Sequence, residues 1–429
     1  MSTAMTRRRD FRPLALCVAL VLACFASPCA ARGAPVAELQ RSEPGALLSE
    51  RAFRRFEAIT SLYAEARYAE AVSAAEAYLR AELNDYERAM GEQILGFALV
   101  ALDRPAEAVP RFERSIELDA LPNAAHFNMM RSLAQLYAAL EQWQKAIDMM
   151  SLYLAYQREA SGEDRIMMGQ SYVQLGRYRD ALSWVRGAIE RAGDAAGESW
   201  HQLELAIHFE LGDHRAALRV LNTLAARWPD RLRYWEMMAG AHQALNEDVE
   251  ALAALMAAYN GGLIDEPAKL LNLVRMNLYV GLPYQAGNIL EGAIEAGVLD
   301  ASPDNLALLL QAWTAAREFE RAAVAADRLA LLTGDGDLLI RKARLMMEQN
   351  RWQAMLESAR QGLELGNVSK PGEAWLMIGI ALLELEQLRD SRQAFQRAQD
   401  YDADSRRQAR EWQRFVEERI QVAELRAGR

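Results

Sequence analysis

The side chains that could do chemistry are few, and their spacing is poor. His201 and His208 stand seven residues apart, so one helix would carry both on one face, with His214 nearby. A closed zinc centre needs four nitrogen, sulfur or oxygen ligands, and no further ligand at a fitting spacing accompanies these three. Gly334-Asp335-Gly336-Asp337 lacks the spaced oxygen ligands of a calcium loop and reads as a turn between helices. The chain has no P-loop, no Gly-x-Ser-x-Gly elbow and no His-Glu-x-x-His. With 59 aspartates and glutamates, no single carboxylate pair stands apart as acid and base. The sequence therefore points away from an enzyme and toward a chain with neither metal nor cofactor. Its function is expected to lie in a surface.

What builds that surface is a repeat. Tyr68-Ala69-Glu70-Ala71, Pro105-Ala106-Glu107-Ala108, Trp143-Gln144-Lys145-Ala146 and Tyr178-Arg179-Asp180-Ala181 share one pattern: an aromatic or proline, two mostly polar residues, then alanine. The column continues through Ala217, Ala251, Ala286, Ala322, Met355 and Ser391, with a period of about 35 residues, that of a helix-turn-helix repeat of the tetratricopeptide kind. A second column of small residues (Gly96, Ala134, Gly169, Ala239, Gly379) lies twelve positions earlier, as expected where two helices cross closely. A third, apolar column (Phe112, Met150, Val185, Leu255, Leu290, Phe395) lies four positions later and completes one buried helical face. Trp235-Glu236-Met237-Met238-Ala239 is similar to the W-x2-L-G-x2-Y signature of these repeats, and Trp375 precedes Gly379 in the same way. Gly212-Asp213, Gly281-Leu282-Pro283 and Pro229-Asp230 mark turns. The departures from alanine at Met355 and Ser391, and an imperfect fifth unit, are expected to loosen packing locally.

The register of the columns places candidate binding residues on the concave side, which the first helix of each unit would line. The ninth position of successive units gives Phe97, Gln135, Gln170, Leu205, Gly240, Arg275, Gln311 and Arg344, with Arg131, Gln174, His208 and Tyr279 nearby. Amides and guanidinium groups in a row suit the backbone and side chains of an extended peptide. The Lys/Asn arrangement with which some such repeats hold a C-terminal carboxylate is not matched.

The N-terminal region reads as a secretory signal peptide over residues 1–34. Arg7, Arg8 and Arg9 form a basic start, Leu14 to Ala26 an apolar core, and small residues around Cys29 to Ala34 offer cleavage sites. Val21-Leu22-Ala23-Cys24 loosely resembles a lipobox, which would anchor the chain through Cys24. Leu22 is atypical there and apolar sequence continues beyond, so export without a lipid is the main reading. Arg8-Arg9-Asp10-Phe11 hints at a twin-arginine signal, against which Arg12 stands. No later stretch is long and apolar enough to span a bilayer. All three cysteines (Cys17, Cys24, Cys29) fall in this segment, so the mature chain would hold no disulfide. Its removal takes away five arginines and Asp10, moving the formal charge from -10 to about -14, which argues against nucleic acid or anionic lipid as partner.

The fold expected is all-α: a right-handed superhelical solenoid of about ten tetratricopeptide-type helix-turn-helix repeats over residues 51–405. A flexible leader (35–50) would precede it, and a polar C-terminal capping helix and tail (406–429) would follow. Beyond the generic repeat, the order of segments resembles one family. Leu83-Asn84-Asp85-Tyr86-Glu87-Arg88-Ala89 precedes Gly96, and Leu121-Pro122-Asn123 leads into Ser132-Leu133-Ala134-Gln135-Leu136-Tyr137. Gly281-Leu282-Pro283-Tyr284-Gln285-Ala286, the Gly334–Asp337 turn and Gly372-Glu373-Ala374-Trp375-Leu376-Met377-Ile378-Gly379 follow. This series resembles the periplasmic tetratricopeptide proteins associated with TonB–ExbB–ExbD energy-transduction systems. The resemblance implies an accessory role in the periplasm, binding TonB-like, ExbD-like or TonB-dependent receptor segments, with no catalytic residues to carry over. Scaffolds for outer-membrane assembly or polysaccharide export, and regulators of peptidoglycan synthesis, are the alternatives.

Overall fold

The structure, a computed structural model, describes residues 39–45, 47–156 and 158–427; the proposed signal segment and Cys24 lie outside them. Among the described residues are 21 α-helices, one short 3-10 turn (Gly193–Ala195) and no strand. The chain divides between Ala160 and Ser161 into two compact units, where the sequence suggests one array over 51–405.

The first unit holds three helical hairpins: α1 (Glu50–Ala64) with α2 (Tyr68–Leu79), α3 (Asp85–Ala101) with α4 (Pro105–Glu117), and α5 (Asn123–Ala139) with α6 (Trp143–Ala155). The second holds seven. These are α7 (Gly162–Gln174) with α8 (Tyr178–Ala192), α9 (Glu198–Glu210) with α10 (His214–Arg227), α11 (Leu232–Ala244) with α12 (Asp248–Asn260), and α13 (Pro267–Tyr279) with α14 (Pro283–Glu295). Then come α15 (Pro303–Ala315) with α16 (Phe319–Thr333), α17 (Gly336–Glu348) with α18 (Trp352–Leu365), α19 (Pro371–Glu384) with α20 (Leu388–Ala398), and a last helix α21 (Ala403–Ala427). Within each unit every helix packs on the one that follows it, which makes each unit a stack of helix-turn-helix repeats, the arrangement of an α-solenoid.

One turn geometry recurs ten times. The residue two places before each second helix is left-handed: Ala66, Asp103, Glu141, Gly176, Gly212, Asn246, Gly281, Arg317, Asn350 and Glu386. The next residue donates its N–H to the carbonyl five places back, as in Arg67 N to Leu62 O (2.9 Å), Glu247 N to His242 O (3.0 Å) and Gln387 N to Leu382 O (2.9 Å). This is the 6→1 bond of a Schellman ending, which satisfies a terminal carbonyl of the first helix and turns the chain into the second.

The alanine column lies wholly inside: all ten of its positions, Met355 and Ser391 included, are 0 % exposed. Met355 and Ser391 do not loosen the packing. Ser391 Oγ donates to Gly379 O at 2.7 Å, so its hydroxyl bonds the first helix of its own hairpin where alanine would only touch it. The small column explains itself: a Cβ built at Gly96 would lie 2.3 Å from Phe112 Cε1, at Gly169 2.5 Å from Val185 Cγ2, and at Gly379 2.5 Å from Phe395 Cε1. Each pair joins the second and third columns across one hairpin.

Arg41 and Ser49, ahead of α1, bond to the hairpins behind them. Arg41, its side chain only 5 % exposed, donates to Asp119 Oδ1 (2.6 Å) and to the Asp119 and Leu121 carbonyls (both 2.8 Å). Ser49 caps α1 while donating N–H and Oγ–H to Glu87 Oε1 (2.9 and 2.7 Å), and Glu87 itself completes the capping box of α3 with Asn84. Burial would raise the carboxyl's pKa, but these bonds outweigh it and hold Glu87 below the usual range. At the other end, α21 buries Ala409 and Val416 and stacks Trp412 on Phe395, with centroids 5.9 Å apart. It closes the stack on α19 and α20 with a largely charged outer face, on which Phe415, Val422 and Leu425 remain exposed. No described helix is long and apolar enough to cross a membrane.

Candidate partner-binding face

The histidines are engaged inside the chain. His208 is 1 % exposed, and Arg186 of α8 donates to its Nε2 at 3.0 Å while also holding Glu204 Oε1 at 2.9 Å. His201 is buried likewise, its Nε2 at 3.2 Å from Arg227 Nη1 of α10. Arginine has no acceptor, so each Nε2 must spend its lone pair on a guanidinium, and the ring stays neutral. Burial first, and the neighbouring arginine second, push both histidines below their ordinary pKa. The described residues contain no group of three His, Cys, Asp or Glu placed to hold a metal.

In the first unit, Phe97 is half-buried with its ring edge against Phe112 (5.1 Å), Arg131 is half-buried and Gln135 is exposed. In the second unit, Gln170, Gln174, Gly240, Arg275, Tyr279, Gln311 and Arg344 are all exposed on first helices. Gln170, Gly240, Arg275, Gln311 and Arg344 each lie eleven residues before the buried column of their own hairpin, so they occupy equivalent positions. Arg344 donates to Glu373 Oε2 at 2.9 Å, and Tyr279 Oη to Asp248 Oδ2 at 3.3 Å.

Leu205 and His208 do not join this row. Both are buried, and the exposed positions of α9 are Ser199, Ala206 and Glu210. Counting back from Ala217 by the interval that separates Gly240 from Ala251 gives Ala206. The insertion of Gly193–Ala195 before α9 breaks a fixed-period count across the preceding boundary, and the expected small position carries the bulkier Leu205.

Sequence reasoning missed a hollow on this face. A cavity of about 390 Å³ opens beside Gly240, floored by Ala239, Leu255, Ile264 and Leu273 and rimmed by Glu236, Gln243, Lys269 and Asn272. Lys269 Nζ spans part of the rim to Glu236 Oε1 at 3.2 Å. The signal was present: a glycine at a ninth position where the neighbouring units carry larger residues.

No protein-family profile and no curated protein matches this chain. Among solved structures, a tetratricopeptide repeat protein from Parabacteroides merdae is similar at 15% identity, covering 62% of this chain and 99% of that one, with a TM-score of 0.36. The C-terminal part of a repeat protein from Cytophaga hutchinsonii gives 13% identity, 65% and 95% coverage and a TM-score of 0.37. YrrB, described as a tetratricopeptide protein with an unusual peptide-binding site, gives 17% identity, 40% and 85% coverage and a TM-score of 0.34.

Proposed function

We propose that this chain is a non-catalytic protein-binding scaffold that takes extended segments of partner proteins along the exposed face of its first helices. The observation that carries the reading is the row in the second unit. Gln170, Arg275, Gln311 and Arg344 stand exposed at one equivalent position of four of the seven hairpins, the last three consecutive, while the column positions behind them are fully buried. Amide and guanidinium groups repeated at hairpin intervals match the repeated donors and acceptors of an extended backbone. A rigid core behind them keeps the row in place without ordering cost on binding. The internal engagement of His201 and His208 supports the non-catalytic part, since neither ring offers a free Nε2 lone pair to a substrate.

The finer reading is a periplasmic accessory of a TonB-type transport system. It rests on Arg7 to Ala34 as an export signal and on the order of segments from Leu83 to Gly379 described above. The test is a crosslinking pull-down from the periplasm of the native host, comparing wild type with a Gln170→Ala, Gln311→Ala variant. Capture of TonB, ExbD or a TonB-dependent receptor, reduced in the variant, is the expected result. Capture of outer-membrane assembly or polysaccharide-export proteins instead would overturn the assigned system and leave the scaffold. A set of captured proteins identical in the variant and in an untagged control would overturn the scaffold reading.

A further inference from the structure

Glycine inside a helix costs about 1 kcal/mol relative to alanine, so each helical glycine calls for a return elsewhere. Gly96, Gly169 and Gly379 have one, because a phenyl ring or a valine methyl occupies the space a Cβ would need. Gly240 has none within the chain: a Cβ built there meets nothing within 4 Å. Gly292 on α14 is equally unhindered, but it borders no described cavity, whereas Gly240 forms one wall of the hollow between α11 and α13. What the missing side chain does is leave that hollow open at its mouth.

The hollow has two kinds of surface. Leu255, Ile264 and Leu273, with Ala239, make an apolar floor; Gln243 and Asn272 offer amides at the rim. One helical turn beyond Asn272 stands Arg275, exposed and with no carboxylate within ion-pair distance among the described residues. Most of its fellow cations near this face are already matched: Lys269 by Glu236 and Glu266, Arg344 by Glu373. Arg275 thus keeps a guanidinium free for an anion, on a chain whose formal charge is -10. The equivalent positions of the second unit's seven hairpins hold two arginines, two glutamines, an alanine, a glycine and an isoleucine (Ile380) but no acid, so nothing in that row repels an anion.

We propose that the Gly240 hollow and Arg275 together form a recognition subsite for an extended peptide bearing an apolar residue and, two positions away, an aspartate or glutamate. The inference rests on the peptide-scaffold reading above and specifies its partner. In an extended strand, side chains two residues apart point the same way and lie about 6–7 Å from each other. Asn272 and Arg275 are separated by about 4.5 Å along their helix axis, a gap the long arginine side chain closes. An apolar side chain seated on Leu255 and Leu273 therefore brings the second residue to the guanidinium. Gly240 lets the strand backbone come down to the helix, and the Gln243 and Asn272 amides meet its polar groups. A cavity of about 390 Å³ is large enough for one bulky side chain and part of the backbone.

The test is selection from a random linear peptide display library on the full-length protein, followed by fluorescence titration of the enriched peptides. Three proteins are compared: wild type, Gly240→Leu and Arg275→Glu. Both substitutions sit on the exposed face, and circular dichroism verifies the helices. The expected result is enrichment of an apolar-x-acidic pattern, with affinity about tenfold or more weaker for both variants, and a turn toward Lys- or Arg-bearing peptides when Arg275→Glu is the bait. Enriched peptides that bind all three proteins alike would place the site elsewhere, overturning the subsite while leaving the scaffold reading intact. Enrichment without acidic residues, weakened only by Gly240→Leu, would overturn the role of Arg275. No enrichment on any of the three would overturn both the subsite and the peptide-binding reading on which it rests.

Discussion

Alanine in place of Gly379 should destabilise the last hairpin, although alanine is the better helix former. Two opposed effects can be weighed from the geometry. In its favour, the substitution removes a mid-helix glycine, a gain of about 1 kcal/mol. Against it, the new Cβ would sit 2.5, 2.7 and 2.8 Å from Cε1, Cδ1 and Cζ of Phe395, roughly 1 Å inside ordinary contact. The ring cannot retreat: Phe395 is 0 % exposed and stacked on Trp412, and Ser391 bonds the Gly379 carbonyl just beside it. Overpacking of this kind costs about 1–3 kcal/mol, so the net should be a loss of about 1 kcal/mol or a little more. Gly240→Ala is the control of opposite sign, since it meets nothing within 4 Å and should keep most of the 1 kcal/mol gain.

Urea unfolding followed by circular dichroism would measure both variants, with hydrogen exchange across α19 and α20 to localise the effect, because repeat stacks need not unfold in one step. A double-mutant cycle adds a sharper reading. Phe395→Leu should cost less in the Gly379→Ala background than in wild type, as the smaller side chain relieves the clash that the alanine creates. If Gly379→Ala matched or exceeded wild-type stability, or if the two glycine substitutions moved stability in the same direction, the close-crossing explanation of the small column would be wrong.

Two further predictions follow from buried groups. Arg41→Ala should lower the midpoint of unfolding of the first unit, with a loss of about 2 kcal/mol from its charged hydrogen bonds to Asp119 and the Leu121 carbonyl; protease cleavage within residues 39–49, absent in wild type, would appear in the variant, and continued resistance would refute a docked leader. Acidification should destabilise both units before any carboxylate titrates: burial pushes His126, His201 and His208 below the ordinary value of 6.5, so the unfolded chain takes up protons there first and stability, full above 6.5, falls as pH drops below it. Urea midpoints at pH 7.5 and 5.5 measure this; a His201→Gln, His208→Gln variant should show a smaller difference between the two, and an unchanged wild-type midpoint would refute it.

How far the sequence could be read depended on whether a feature repeats. The alanine and glycine columns recur because every hairpin has the same crossing, so ten imperfect copies reinforce one another and the helical architecture is legible from Ala71 to Ser391. The ten turns are just as regular in the structure, yet only Gly176, Gly212 and Gly281 announce themselves. Asp103, Asn246 and Asn350 are types that enter the left-handed region locally, while at Ala66, Glu141, Arg317 and Glu386 an ordinary residue accepts it at a cost of about 1 kcal/mol, because the Schellman bonds and the packing of both helices demand it. Features that occur once were hidden. Arg41 is one arginine among many until its partners at Asp119 and Leu121 are seen, some 80 residues away. The candidate face falls between these cases: its register repeats, so Gln170, Arg275, Gln311 and Arg344 share one exposed position, but a count of fixed period slips by one at α9 and lands on buried Leu205 and His208. The hollow beside Gly240 depends on the absence of a side chain at one repeat and on the floor that Leu255 and Leu273 bring from two different helices. A period predicts what every hairpin shares; partner choice must come from what a single hairpin does differently, and in this chain that difference is concentrated between α11 and α13.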